Sequence, residues 1–224
     1  ANYIAPPSLG PPYLCLVASG GHSHIIEVRS HTEFRVIGRT RDDAAGECFD
    51  KCARVLGFPY PGGVHIDRAA REGNPEGYTL PRPTVAGSAY DMSFSGLKTA
   101  VINLAHNAKQ KGESLRSADL AASVQHRIAG MLTEKTMAAA RDLGYRAIAA
   151  AGGVCANTGV RQALTEACDK AGYTLYMPPL SLCGDNGAMI ACQGYFNYLA
   201  GMRGGPELNA IATLSIEDIG ESLK

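Results

Sequence analysis

No sign of charge dominates this chain. Its 21 lysine and arginine residues are matched by 21 aspartates and glutamates, so no global field draws in a polyanion such as RNA, and any such contact must be local or made with a partner's help. Long apolar runs are missing too: none reaches the roughly 18 residues a membrane span needs, and no basic-then-apolar segment leads to a cleavage site. The expectation is a protein with no membrane partner. The seven cysteines form no C-x-x-C pair of the kind that builds a zinc knuckle or redox centre, and free thiols suit a reducing cytoplasm. None of the six histidines belongs to an H-x-x-x-H or H-E-x-x-H pair, which argues against a self-contained metal site; His22 and His24 would be half of one at most. No Walker A loop, no G-x-G-x-x-G and no internal repeat is visible.

What is present suits one large α/β domain. A chain of 224 residues with 46% hydrophobic content can bury a substantial core. Tyr13 to Ala18 is a short, fully apolar run that reads as a buried strand, broken by Ser19-Gly20-Gly21-His22. Strands resume over Ile25 to Val28 and Phe34 to Arg39, giving a three-strand meander. From Asp42 the period changes. Ala45, Cys48, Phe49, Cys52, Val55 and Leu56 fall on one helical face, with Asp42 or Asp43 as expected N-cap and Gly57 as the stop. The spacing of four sets Cys48 and Cys52 side by side, as core filling or as half a metal site. A short helix is expected from Ile66 to Glu72, while residues 73–96 carry no clear period. Helical patterns follow over Leu97 to Lys111 and Leu120 to Leu143, the second capped by Ser117 and stopped by Gly144. Then types alternate: strand Arg146 to Ala151, helix Thr158 to Lys170, strand Thr174 to Met177, helix Asn186 to Leu199. This order predicts a sheet of mixed direction. It resembles the ribonuclease-H-like half-fold of the actin, sugar kinase and heat-shock ATPase (ASKHA) superfamily, in which two halves clasp a nucleotide. The expected division is a linker over residues 1–12, a lobe over 13–200 with a helical insertion at about 42–143, and a tail over 201–224. Ala1 to Ala5 read as the end of a helix before Pro6-Pro7 and Pro11-Pro12, without a start Met, so residues are expected upstream.

Four segments carry residues with chemistry. Ser19-Gly20-Gly21-His22-Ser23 lies in a strand-to-strand turn, where glycines let backbone N–H groups approach an anion and two hydroxyls add donors; the alternative is an ordinary hairpin. On the polar face of the helix from Asp42, Asp43, Glu47 and Asp50 recur at spacings of four and three, a solvated face unless the Tyr60-Pro61-Gly62-Gly63 turn and Asp67 join it. Carboxylates beside a glycine turn suit the hydroxyls of a ribose. Gly152-Gly153-Val154-Cys155-Ala156-Asn157 follows a buried strand and opens a helix, so its glycines can approach a ligand while Asn157 caps the helix; otherwise it is a tight turn. Cys183-Gly184-Asp185-Asn186-Gly187 precedes the last helix with Asp185 at or near its N-cap, where a carboxylate either caps or holds a metal.

Taken together, VASGGHSHI, DDAAGECFDKCARVLGFPYPGG, SFSGLKTAV, AAGGVCANTGVR and CGDNGAMIA resemble, in order and spacing, the signature blocks of the TsaD (YgjD-like) family of tRNA threonylcarbamoyladenosine transferases, once described as O-sialoglycoprotein endopeptidases. The blocks span about residues 13–195. The resemblance implies a two-lobed ASKHA fold with threonylcarbamoyl-adenylate between the lobes, this chain being most of the second. It puts the phosphate-facing turn on Val17, Ala18, Ser19, Gly20 and Gly21, the ribose and adenine contacts on Asp50, Gly63, Asp67 and Asn157, and a metal-binding aspartate on Asp185. It also implies one divalent metal, iron or zinc, completed by two histidines of an H-x-x-x-H segment that in the family lies upstream of where this chain begins. That segment and the family's first lobe are absent from the sequence, which implies a truncated form that is inactive alone.

The activity implied is attack by the exocyclic amine of the tRNA adenosine next to the anticodon on the carbamoyl carbon of the adenylate, with AMP leaving. The metal would neutralise charge as the phosphate departs, and positioning would supply most of the rest. Implied partners are tRNA, threonylcarbamoyl-AMP or ATP and AMP, and TsaB-like and TsaE-like proteins, all in the cytoplasm. Two other readings stand beside this one. An ASKHA phosphotransferase would use the same turns on ATP, but the tRNA-type blocks argue against it. A catalytically silent scaffold paralogue would have no reason to keep Asp185 in its G-D-N-G context. Neither a complete zinc-binding pair nor a Ser or Cys triad supports a protease.

Overall fold

The computed structural model describes residues 1–5, 9–206, 208–209, 211 and 214–218; Pro6 and Pro7 of the expected linker, and part of the expected tail, lie outside the described residues. β1 (Tyr13–Ala18) forms the middle of the sheet, with β2 (Ser23–Val28) antiparallel beside it and β3 (Phe34–Arg39) antiparallel to β2. On its other side β4 (Ala147–Ala151) runs parallel to β1, and β5 (Thr174–Tyr176) parallel to β4. The order is therefore β3-β2-β1-β4-β5, the predicted meander at one edge and the strand-helix-strand unit at the other.

Period two along β1 sends Leu14, Leu16 and Ala18 to one face and Tyr13 and Cys15 to the other. The first face carries the larger core. It is covered by α1 (Ala45–Val55), α2 (Gly62–Ala70), α3 (Ser95–Lys111), α4 (Ser117–Leu143) and α5 (Thr158–Ala171). Phe49, Ile66, Phe94, Ile128 and Leu132 are fully buried there, each worth roughly 1.5–3 kcal/mol over exposure. Cys48 and Cys52 lie at zero exposure on the same face of α1 as Phe49, so they fill core, and the described cysteines are all free thiols. α6 (Gly187–Leu199) reaches the second face, where Phe196 stacks on His31 with ring centroids 3.9 Å apart and Gln193 donates to the His31 carbonyl at 2.8 Å. No residue of α6 is buried, and Ile190, Tyr195, Tyr198 and Leu199 are 59 to 69% exposed.

Three helix starts differ from the sequence expectation, each for a tertiary reason. Neither Asp42 nor Asp43 caps α1. The residue before that helix is Ala44, and the first N–H, of Ala45, donates to Ser23 Oγ at 2.9 Å. Asp43 pairs instead with Lys51. Asp42 serves the start of α3, accepting from the N–H groups of Phe94 and Ser95 at 2.7 and 3.2 Å and from the hydroxyls of Ser93 and Ser95. Ser117 is the first residue of α4 and not its cap, and no side chain caps that helix. The helix expected from Ile66 begins earlier, at Gly62, because Asp50 Oδ1 accepts the Gly62 N–H at 2.7 Å.

The Asp42 arrangement predicts a pH dependence. Burial alone would raise its carboxyl, but the hydroxyl and N–H donors outweigh burial and hold it below its ordinary 3.8. A depressed pKa contributes stability that is present above the unfolded-state value and lost as pH falls through the folded one. The gap in melting temperature between wild type and Asp42→Asn is therefore expected to shrink between about pH 6 and pH 3. A gap that stays constant in calorimetric scans over that window would contradict it.

Candidate functional site

Because β1 and β4 are parallel neighbours, the turns that follow them emerge side by side at one end of the sheet. Val17 is in register with Ala151, and the Gly20-Gly21 and Gly152-Gly153 turns come next. Gly152 sits at φ +97°, where its Cα approaches the end of β1 so closely that a Cβ would lie 2.3 Å from the Ala18 carbonyl oxygen. α1 and α2 supply a further wall. The whole encloses a cleft of about 380 Å³ lined by Gly20, Asp50, Gly63, Asp67, Gly153 and Asn157 among others. Val64, 58% exposed, adds apolar surface with the buried Phe49 and Val154 behind it, and Tyr60, 84% exposed, stands at the rim.

The glycines of the two turns divide by cause. Gly152 is dictated by backbone conformation and crowding, and Gly46, on the facing α1, by crowding, since its Cβ would lie 2.6 Å from the Ser19 carbonyl oxygen. Gly20, Gly21 and Gly153 have no such reason: none has a left-handed φ, and a Cβ on any of them would meet nothing within 4 Å. What they leave is bare backbone. Among the described residues, the N–H groups of Gly20, Gly21 and Gly153 meet no protein acceptor. Unpaired N–H donors on two adjacent turns are the kind of backbone that suits an anion.

The carboxylates separate. Lys51 holds Asp43 at 2.9 Å and Glu47 at 2.5 Å, so of the three expected acids only Asp50 lines the cleft. One of its oxygens takes the Gly62 N–H, and the other has no partner among the described residues. Asp67 is largely committed: its Oδ1 accepts from Thr158 N–H at 3.0 Å and Thr158 Oγ1 at 2.6 Å, tying α2 to the start of α5. Asn157 does cap α5, with Oδ1 accepting from Val160 N–H at 3.0 Å, while its Nδ2 donates to Gln125 Oε1 at 2.8 Å. That leaves its amide one lone pair and one N–H. Gln125 carries no signal in the sequence beyond a polar position on α4.

Other expected residues fall elsewhere. Val17 and Ala18 complete β1, with Ala18 fully buried. The two hydroxyls expected to face an anion serve the protein first. Ser19 Oγ accepts from His22 N–H at 3.1 Å, and Ser23, at zero exposure, turns toward α1. His22 and His24 stand with ring centroids 5.3 Å apart. Burial, then the neighbouring His22 and Arg39, lower His24 below its ordinary 6.5. Asp185 is exposed in the turn before α6, where Asn186 is the cap: its Oδ1 accepts from Met189 N–H at 3.0 Å. The capping role expected at or near Asp185 thus belongs to its neighbour. The Asp185 carboxylate has no hydrogen-bond or ion-pair partner among the described residues, and no three His, Cys, Asp or Glu side chains among them converge on a possible metal position.

A family profile described as TsaD, tRNA N6-adenosine threonylcarbamoyltransferase, matches residues 1–192. Curated relatives bear the same description. One from Moorella thermoacetica is 47% identical over 216 residues, covering 96% of this chain and 63% of the relative. One from Thermosynechococcus vestitus is 47% identical over 224 residues, covering 98% and 64%. The chain therefore spans just under two thirds of the length of the relatives it matches. Among solved structures, full-length HypF in its phosphate- and nucleotide-bound form superposes with a TM-score of 0.65 at 11% identity, over 93% of this chain and 35% of that one. HypF of T. kodakarensis gives 0.63 at 13% identity, over 84% and 34%. At those identities the likeness concerns the fold alone, which is of the ASKHA type.

Proposed function

This chain belongs to the TsaD family of tRNA N6-adenosine threonylcarbamoyltransferases, and we propose that the whole protein transfers a threonylcarbamoyl group from its adenylate to a tRNA adenosine, with the cleft described above holding the adenylate. The observation that carries this reading is the pair of adjacent glycine turns whose N–H groups lack protein acceptors beside a cleft that also presents one unshared carboxylate oxygen. In it, Gly20, Gly21 and Gly153 donate to the phosphate, Asp50 accepts from a ribose hydroxyl, and Val64 contacts the base. The exocyclic amine of the tRNA base forms a bond to the carbamoyl carbon and gives up one proton to solvent, the bond from that carbon to the phosphate oxygen breaks, and AMP leaves with charge that the N–H donors stabilise. Holding the two reactants together accounts for most of the acceleration.

Asp185 fits a metal ligand, being exposed, unpartnered among the described residues and relieved of capping by Asn186. We extend the proposal to one iron or zinc ion held by Asp185 and two histidines contributed from elsewhere in the whole protein. Such an ion would neutralise negative charge at the departing phosphate. The apolar face of α6 supports a contact with the rest of the protein. TsaB-like and TsaE-like partners, and a cytoplasmic setting in keeping with the free thiols, complete the reading. No described helix is long and apolar enough to cross a membrane.

Calorimetric titration with AMP tests the cleft. The whole protein is expected to bind AMP and this chain alone to bind it more weakly, because a site with one wall leaves its polar contacts in water; the chain alone is expected to be inactive for the same reason. Sub-micromolar affinity in the chain alone would mean a complete site, and no binding by the whole protein would remove the cleft from the function.

A further inference from the structure

The start of α5 is held from two sides. α2 reaches it through Asp67 and Thr158, and α4 through Gln125 and Asn157. A carboxamide can face either way round, and two neighbours fix this one. Val160 N–H requires an oxygen at 3.0 Å, and Gln125 Oε1 requires an N–H at 2.8 Å. Asn157 is 9% exposed, so an unmet N–H there would be poorly compensated by water. The Gln125 carboxamide is in turn confined by Gly159, where a Cβ would lie 2.5 Å from its Nε2, 2.7 Å from Cγ and 2.8 Å from Cδ. Glycine at 159 thus leaves the room Gln125 occupies, although its φ lies outside the left-handed region that would demand glycine.

We propose that Gln125 is a positioning residue of the cleft: it fixes the Asn157 amide so that the one N–H and one lone pair remaining to it meet the bound nucleoside in a single arrangement. The inference rests on the reading of the cleft as a nucleotide site. Gln125 itself does not line the cleft; it lines a separate hollow of about 310 Å³ between α4 and α5.

The test is AMP titration of the whole protein as wild type, Gln125→Leu, Gln125→Glu and Gly159→Ala. Gln125→Leu removes the acceptor of Asn157 Nδ2 and is expected to weaken AMP binding on the order of tenfold. Gln125→Glu keeps an acceptor oxygen and is expected to bind within about twofold of wild type. Gly159→Ala displaces the carboxamide from its other side and is expected to weaken binding as Gln125→Leu does. Equal losses in Gln125→Leu and Gln125→Glu would overturn the inference, as would unchanged binding in Gln125→Leu while the wild type binds. No binding by the wild type would overturn the cleft reading and this inference together. If Gln125→Leu does not fold, Gly159→Ala carries the same comparison, with unchanged binding counting against the proposal.

Discussion

In the whole protein, Asp185→Asn is expected to lose bound metal and transfer activity while its melting temperature stays within about 2 °C of wild type, the shift that ~0.5 kcal/mol produces in a chain of this size. The stability forecast follows from the turn before α6, where Asn186 makes the cap bond and Asp185 makes none. The functional forecast follows from charge. A divalent ion held by two neutral imidazoles and one carboxylate takes its only protein negative charge from that carboxylate. Loss of a hydrogen-bonding neighbour of a metal ligand already costs about 10–100-fold in affinity, and loss of the charged ligand itself is expected to cost at least as much. Metal content by mass spectrometry, thermal unfolding and tRNA modification on one preparation separate the possibilities. Retained metal with retained activity would detach Asp185 from the chemistry, and a large fall in melting temperature would show a structural duty that its surroundings do not suggest.

Two adjacent glycines are expected to behave in opposite ways. Gly152 lies at φ +97° and ψ 163°, a region that side chains other than glycine's essentially do not enter, and an added Cβ would strike the backbone oxygen of Ala18. Strain and overlap together put Gly152→Ala at roughly 3 kcal/mol or more of lost stability, about 6–12 °C in melting temperature for a chain of this length. At Gly153 the added methyl meets open space, so Gly153→Ala is expected within about 0.5 kcal/mol of wild type. Its cost should appear as weaker AMP binding, because the methyl occupies the approach to the bare N–H groups. Thermal melts and AMP titrations of both variants check the pair. Similar stability losses would show that Gly153 is crowded after all, and unaltered AMP binding in a folded Gly153→Ala would take that turn out of the phosphate site.

What could be read from the sequence was what local period and turn chemistry determine. The described strands and helices, and the glycine stops at Gly57 and Gly144, follow from patterns within about twenty residues. The starts of α1 and α3 are set by contacts from far along the chain. Asp42, Asp43 and Ser117 all look like caps to their own helices, but Asp42 answers donors more than fifty residues away at the start of α3, and Ser23 from the glycine turn takes the N–H that Asp42 was expected to take. The candidate cleft shows the same division. Gly20, Asp50, Gly63, Asp67 and Asn157 were legible from motif and resemblance, and they line one cavity. That Asp43 and Glu47 are occupied by Lys51 is a matter of side-chain packing, and nothing local marks Gln125 as the partner of an amide 32 residues further on.

The pairing of β1 with β4 has one more consequence, for how a ligand leaves. The two glycine turns hang from neighbouring strands whose separation is set by the ladder, about 4.8 Å, and whose register runs from Leu14 opposite Ile148 to Val17 opposite Ala151. They cannot part without unzipping the middle of the sheet, an opening that approaches the cost of unfolding the domain. The sheet side of the cleft is therefore a fixed jaw. For a ligand in this cleft, entry and release would use the walls that are not hydrogen-bonded strands, the α1 and α2 side with Tyr60 at its lip.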